Sequence, residues 1–120
     1  MAQGSGGPGD GSETRLAVYG SLAPGEANAW VLEPVDGEWL EGGRVRGRLH
    51  DRGWGAGKGY PGLEWDPGGE PVAVKVFVSP DLPDHWARID AFEGEDYRRI
   101  VVPVEGLPGG GRPCNIYVVG

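Results

Sequence analysis

A carboxylate occupies a position where a hydrophobic stripe calls for an apolar side chain. Between Pro80 and Gly94 the segment Asp81-Leu82-Pro83-Asp84-His85-Trp86-Ala87-Arg88-Ile89-Asp90-Ala91-Phe92-Glu93 reads as a short amphipathic helix, with a proline-rich start and a glycine stop. Leu82, Trp86 and Ile89 follow the i, i+4, i+7 spacing of one helix face. Glu93 comes next on that stripe, returning to nearly the angle of Leu82 at about 3.6 residues per turn. A carboxylate on a buried stripe loses solvation, and at a helix C-terminus it faces the negative end of the dipole. Both effects raise its pKa. An acid tuned upward in an apolar wall is suited to general acid–base chemistry near neutral pH. Periodicity alone favours the opposite outcome, a last-turn glutamate swung out into water. Glu95 and Asp96 follow closely, so the angle singles out Glu93 without excluding them.

A second constellation lies near the start of the chain. Tyr19-Gly20-Ser21-Leu22 sits where a first strand turns away, and successive backbone N–H groups at such a turn can form an anion-binding nest. Gly20 permits close approach of a ligand. Taken alone, this tetrapeptide is also an ordinary turn. Tyr60 and Tyr97 can line a pocket or fill a core. Arg99 can meet a substrate carboxylate, with a structural ion pair to a nearby acid as the safer expectation. His85 falls on the polar side of its helix. The run Gly53-Trp54-Gly55-Ala56-Gly57-Lys58-Gly59 imitates a phosphate loop only superficially. The first glycine of that motif would fall at Arg52, and the Mg²⁺-ligating hydroxyl at Gly59. A surface loop is the better reading.

These residues need a scaffold, and the pattern suggests which. Residues 1–14 contain almost nothing to bury and read as a disordered tail, leaving 15–120 as one domain. Strands are expected at Arg15–Tyr19, Val45–His50, Val72–Val78, Tyr97–Val104 and Pro113–Val119, with a short helix at Glu26–Leu32 besides the one ending at Glu93. Valine-rich strands joined by Gly/Pro-rich connections predict an α+β fold, mainly antiparallel, with a small curved or partly closed β-barrel and one or two short flanking helices. The 24 glycines weaken any motif built on glycine alone.

Composition excludes several functions. A net charge of −7 argues against nucleic acid as partner. No apolar run approaches a membrane span, and no signal-peptide core opens the chain, so a cytoplasmic protein is expected. The single cysteine, Cys114, lies in a strand pattern and reads as a buried, inert thiol. His50 and His85 have no partners at metal-ligand spacing. Neither metal nor cofactor is expected, and a monomer acting on a small molecule is the simplest reading.

The two constellations taken together carry a resemblance. Ala17-Val18-Tyr19-Gly20-Ser21-Leu22, then Ile89-Asp90-Ala91-Phe92-Glu93-Gly94 followed by Tyr97-Arg98-Arg99, resembles the gamma-glutamylcyclotransferase-like family. Asn28, Gly47-Arg48-Leu49 and Tyr60-Pro61-Gly62-Leu63 look like its middle elements, so the resemblance spans about residues 16 to 119. It departs from the family at His50, where an aromatic residue is common, in the long Gly53–Gly59 loop, and in ending directly after the last strand.

The resemblance implies a small, partly closed β-barrel and a cyclotransferase that splits a gamma-glutamyl amide into 5-oxoproline and a free amine. Glu93 would be the proton acceptor. Tyr19, Gly20, Ser21 and Leu22 would hold the glutamyl end through backbone groups, with Tyr97 a weaker candidate. The alternative is a non-catalytic small-molecule-binding domain of the same fold.

Overall fold

A computed structural model describes residues 11–20, 22, 24–26, 28–54, 60–108 and 112–119, with the side chains of 51–54 and 60 outside that description. Among these residues six strands and one α-helix build the fold: β1 (Arg15–Val18), β2 (Glu38–Trp54), β3 (Tyr60–Trp65), β4 (Glu70–Val78), α1 (Trp86–Glu93), β5 (Arg98–Val104) and β6 (Arg112–Val118). They form a single sheet in the order β3-β2-β4-β1-β6-β5. Every neighbouring pair is antiparallel except β1 with β6, which run parallel. The sheet curls far enough for its two ends to touch. Arg44 on β2 and Glu105 beyond β5 exchange both backbone hydrogen bonds at 2.8 Å. The Val119 N–H donates to the Leu63 carbonyl of β3, also at 2.8 Å. A partly closed barrel with a flanking helix agrees with the expectation.

Curling gives the sheet an inside and an outside, and both are covered. Ala17, Val45, Leu63, Val74, Val76 and Ile116 are among the residues that fill the inside. Leu16, Val18 and Phe77 point outward and pack beneath Leu22, Val31, Leu32, Leu82, Trp86 and Ile89. Three of the four β1 residues and the last five of β6 are therefore buried, and a simple in–out alternation is lost. Cys114 is fully buried on the inside, as its strand pattern indicated.

Several boundaries differ from the sequence reading. The Pro- and Gly-bearing segment Tyr60–Trp65 is a strand, paired with β2. β2 starts at Glu38 and not Val45, because Trp39 and Leu40 pair with Phe77 and Val76 across a register shift. The short helix expected at Glu26–Leu32 contracts to a 3₁₀ turn at Ala29–Val31. Residues 11–14 do not belong to a tail. Ser12–Thr14 form a 3₁₀ turn whose Ser12 is buried, and the Trp86 indole N–H donates to the Glu13 carbonyl at 3.0 Å. Residues 1–10 lie outside the described residues.

The predicted helix at 81–93 is broken into two parts. Leu82–Asp84 form a 3₁₀ turn, and α1 begins only at Trp86. Ser79 organises this start, since its Oγ accepts the Asp81 N–H at 3.1 Å and donates to the Asp36 carbonyl. Pro83 offers no N–H, and the turn closes through i→i+3 bonds, such as His85 N–H to Leu82 O at 2.8 Å. Leu82, Trp86 and Ile89 still share one cluster, each burial stabilising by roughly 1.5–3 kcal/mol. α1 ends at Gly94, whose φ of 80° and ψ of −171° belong to a region almost confined to glycine. A Cβ there would meet nothing within 4 Å, so its cost is purely conformational. Gly94→Ala should lower stability by about 1–3 kcal/mol in a urea titration without changing the slope.

Candidate active site

The end of α1 and the start of the turn after β1 line one small, open cleft. Glu93 forms one wall. Tyr19, Gly20 and Leu22 also line the cleft, as do Pro61 of β3, Tyr97 and Tyr117. The expected pairing of the helix carboxylate with the first turn is therefore present in space. Ser21, named with that turn, lies outside the described residues, as does the side chain of Tyr60. Tyr97 lines the cleft. His50 is absent from the cleft lining and sits on the β2–β3 ribbon with Nε2 3.1 Å from Glu64 Oε1.

Glu93 is half-buried, and its carboxyl is pushed up to about 7, first by burial and second by the charge of Asp90. Among the described residues none hydrogen-bonds this carboxylate, and none of the cleft side chains is cationic. Its proton is thus held near neutral pH by loss of water and by a like charge. The break at Leu82–Asp84 means the angle is set within α1 itself: Glu93 follows Ile89 by four residues and Trp86 by seven, on the face that packs against the sheet.

Three tyrosines frame the carboxyl, and each has its hydroxyl committed. Tyr19 donates to the Tyr117 carbonyl at 2.6 Å and accepts the Leu63 N–H at 3.0 Å, tying β1 to β3 and β6. Tyr97 donates to the Pro61 carbonyl at 2.6 Å. Tyr117 donates to Asp90 Oδ1 at 2.6 Å. Burial first, and neighbouring charge after it, hold the Tyr19 and Tyr117 phenols well above their ordinary range, so both act as neutral donors. Tyr19 thus serves the cleft by tying together the strands that line it, a role that its place in a turn motif did not reveal.

Gly20 is also explained by its neighbour. A Cβ on Gly20 would stand 2.9 Å from Pro61 Cγ, across the mouth shared by the turn and β3. Gly20→Val should push these walls apart and deform the cleft. If this turn holds a glutamyl group, as the resemblance implies, a folded Gly20→Val protein should bind glutamate or 5-oxoproline more weakly than the parent in a thermal-shift titration; equal binding would place the site elsewhere.

Asp90 has a place in the site that its position in the sequence does not reveal. Arg99 grips it through Nε–Oδ1 at 2.8 Å and Nη2–Oδ2 at 3.2 Å, so the structural ion pair expected of Arg99 is present. This fork and the Tyr117 hydroxyl hold the Asp90 carboxyl below its usual range. Two carboxyls one helical turn apart are thereby pushed in opposite directions, an arrangement typical of acid–base sites. No set of three His, Cys, Asp or Glu side chains suited to a metal occurs among the described residues. Among the described residues no helix is long and apolar enough to cross a membrane.

Residues 16–120 match the sequence profile of the family described as gamma-glutamyl cyclotransferase, AIG2-like. None of the curated proteins matches the chain. Among solved structures, YkqA from Bacillus subtilis aligns with a TM-score of 0.65 at 26% identity, over 89% of this chain. This chain spans only 36% of the length of YkqA. An AIG2-like protein from Mus musculus gives a TM-score of 0.62 at 23% identity, over 89% of this chain and 77% of that one. A structure named gamma-glutamyl cyclotransferase gives 0.67 at 20% identity, over 89% and 66%. The last two likenesses carry the fold alone.

Proposed function

We propose that this chain, which belongs to the gamma-glutamyl cyclotransferase, AIG2-like family, cleaves gamma-glutamyl amines or amides by cyclisation, releasing 5-oxoproline and a free amine. The observation that carries the proposal is Glu93, a half-buried carboxyl held near neutrality in a cleft that Tyr19, Gly20 and Leu22 also line.

The substrate brings its own nucleophile, so the protein needs no reactive serine or cysteine. Glu93 accepts a proton from the substrate's α-ammonium group, and the freed nitrogen attacks the γ-carbonyl carbon. A C–N bond closes the five-membered ring as charge develops on the carbonyl oxygen. Backbone N–H groups of the Gly20–Leu22 turn are the proposed donors to that oxygen. Collapse breaks the bond to the leaving nitrogen. The two protons lost by the α-nitrogen end on the departing amine, with Glu93 relaying them. A group with a pKa of about 7 exchanges protons in both directions at physiological pH. The reaction gains mainly from holding amine and carbonyl together in a water-poor cleft.

The test is incubation with a panel of gamma-glutamyl compounds, scored by 5-oxoproline release. Release from one or more members supports the reading. Binding of the panel without release would favour a non-catalytic binding domain of the same fold.

A further inference from the structure

Asp90 joins three parts of the molecule, α1, β5 and β6. It lies on α1, three residues before Glu93, a spacing that places two side chains on neighbouring positions of one helix face. Its Oδ1 accepts the hydroxyl of Tyr117, whose ring lines the cleft from β6. Both of its oxygens accept the Arg99 fork from β5. Arg99 is itself immobilised. Its Nη1 donates to Asn115 Oδ1 at 2.9 Å, its guanidinium lies 4.3 Å above the Trp86 ring, and Asn115 donates onward to the Ser12 carbonyl at 2.8 Å. Such investment exceeds what an exposed surface ion pair needs.

We propose that Asp90 is a positioning residue of this site: clamped by Arg99 and Tyr117, it docks the last turn of α1 and keeps a fixed negative charge one turn before the Glu93 carboxyl. The proposal rests on Glu93 being the working group of the cleft. The charged and titratable groups facing Glu93 are few. Asp90 comes from its own helix, Tyr19 from the end of β1, Tyr97 from the start of β5 and Tyr117 from β6. The three tyrosines are committed donors, so Asp90 is the one anion among the described groups at this wall. Burial is the larger cause of the Glu93 shift and Asp90 the second, which leaves Asp90 to adjust a proton affinity that the cleft has already raised. Asp90 is 44% exposed, so the action of its charge on Glu93 is open to screening by salt.

The parent protein alone gives a first test. In a ¹³C-carboxyl NMR titration Glu93 should have its midpoint near 7, and Asp90 should titrate below the ordinary range with a small second inflection at the Glu93 midpoint. Asp90→Asn keeps the acceptor for Tyr117 and removes the charge, so the Glu93 midpoint should fall by about one unit. Arg99→Gln leaves the Asp90 charge uncompensated and should move it the other way. With a gamma-glutamyl substrate, the acid limb of kcat/KM should follow each of these shifts. Added salt should shrink the difference between parent and Asp90→Asn.

A Glu93 titration in the parent that carries no sign of Asp90, or a midpoint unmoved in folded Asp90→Asn, overturns the proposal. Should Asp90→Asn fail to fold, the parent titration and Arg99→Gln still decide it. A normal NMR coupling combined with full turnover in Glu93→Gln would instead discard Glu93 as the base and leave the Asp90–Glu93 coupling in place.

Discussion

Glu93→Gln should lose turnover of a gamma-glutamyl substrate by about 10²–10⁴-fold while remaining folded. The amide keeps the size of the side chain and its place in the cleft, but can neither take the proton from the α-ammonium group nor return it to the leaving nitrogen. Substrate affinity should change much less than turnover, because the proposed contacts to the glutamyl end come from the Tyr19–Leu22 turn. A steady-state comparison with parent protein, read as 5-oxoproline release, measures both. Full activity in the Gln variant would remove Glu93 from the reaction. Equal loss with Glu93→Asp would add that reach, as well as basicity, is needed.

The second large effect is on stability and has a definite sign. The folded protein keeps the Glu93 proton up to about pH 7, whereas the unfolded chain releases it near the ordinary value of 4.5. Between these values the unfolded state binds fewer protons, so stability falls as pH rises through the window. The full penalty is about 3 kcal/mol, reached above pH 7, and vanishes below pH 4.5. Glu93→Gln removes it. The variant should melt higher than the parent at pH 8, by about 10 °C, and close to the parent at pH 4.5. Asp90 acts in the opposite sense at lower pH: its depressed carboxyl contributes stability that is lost only as pH falls through its own folded value. Melting curves of both proteins from pH 4 to 9 test the sign. A parent whose stability rose across the 4.5–7 window relative to Glu93→Gln would show that the carboxylate, not the acid, is the form the cleft prefers.

These two effects describe one compromise. A carboxyl inserted into an apolar wall destabilises the fold at physiological pH, and the same loss of solvation gives it a proton affinity useful for catalysis. The surrounding polar groups are satisfied by one another, as with Tyr19 between Leu63 and Tyr117. Glu93 remains the group with proton-transfer capacity to spare.

Periodicity puts Glu93 on the Trp86–Ile89 side of α1, yet by itself it favours a last-turn glutamate in water, and only the paired motifs of the family resemblance turn attention back to Glu93. Alternating valines determined β4, and the Tyr-Gly-Ser-Leu turn marked the end of β1. What periodicity could not decide was whether Glu93 meets water. That depends on Leu22, Pro61 and Tyr97, brought to the cleft from three different parts of the chain. β3 escaped notice for a related reason. Pro61 and Gly62 spoil its local pattern, and only pairing with β2 makes Tyr60–Trp65 extended. The charge of Asp90 is visible in any reading of the sequence, yet its fixation by Arg99 and Tyr117 requires β5 and β6 to run side by side beneath α1. Local sequence determined which side chains could do chemistry, because helix and strand periods are properties of the backbone. Tertiary structure decided their proton affinities, because solvation and Coulomb energy depend on neighbours that only folding supplies.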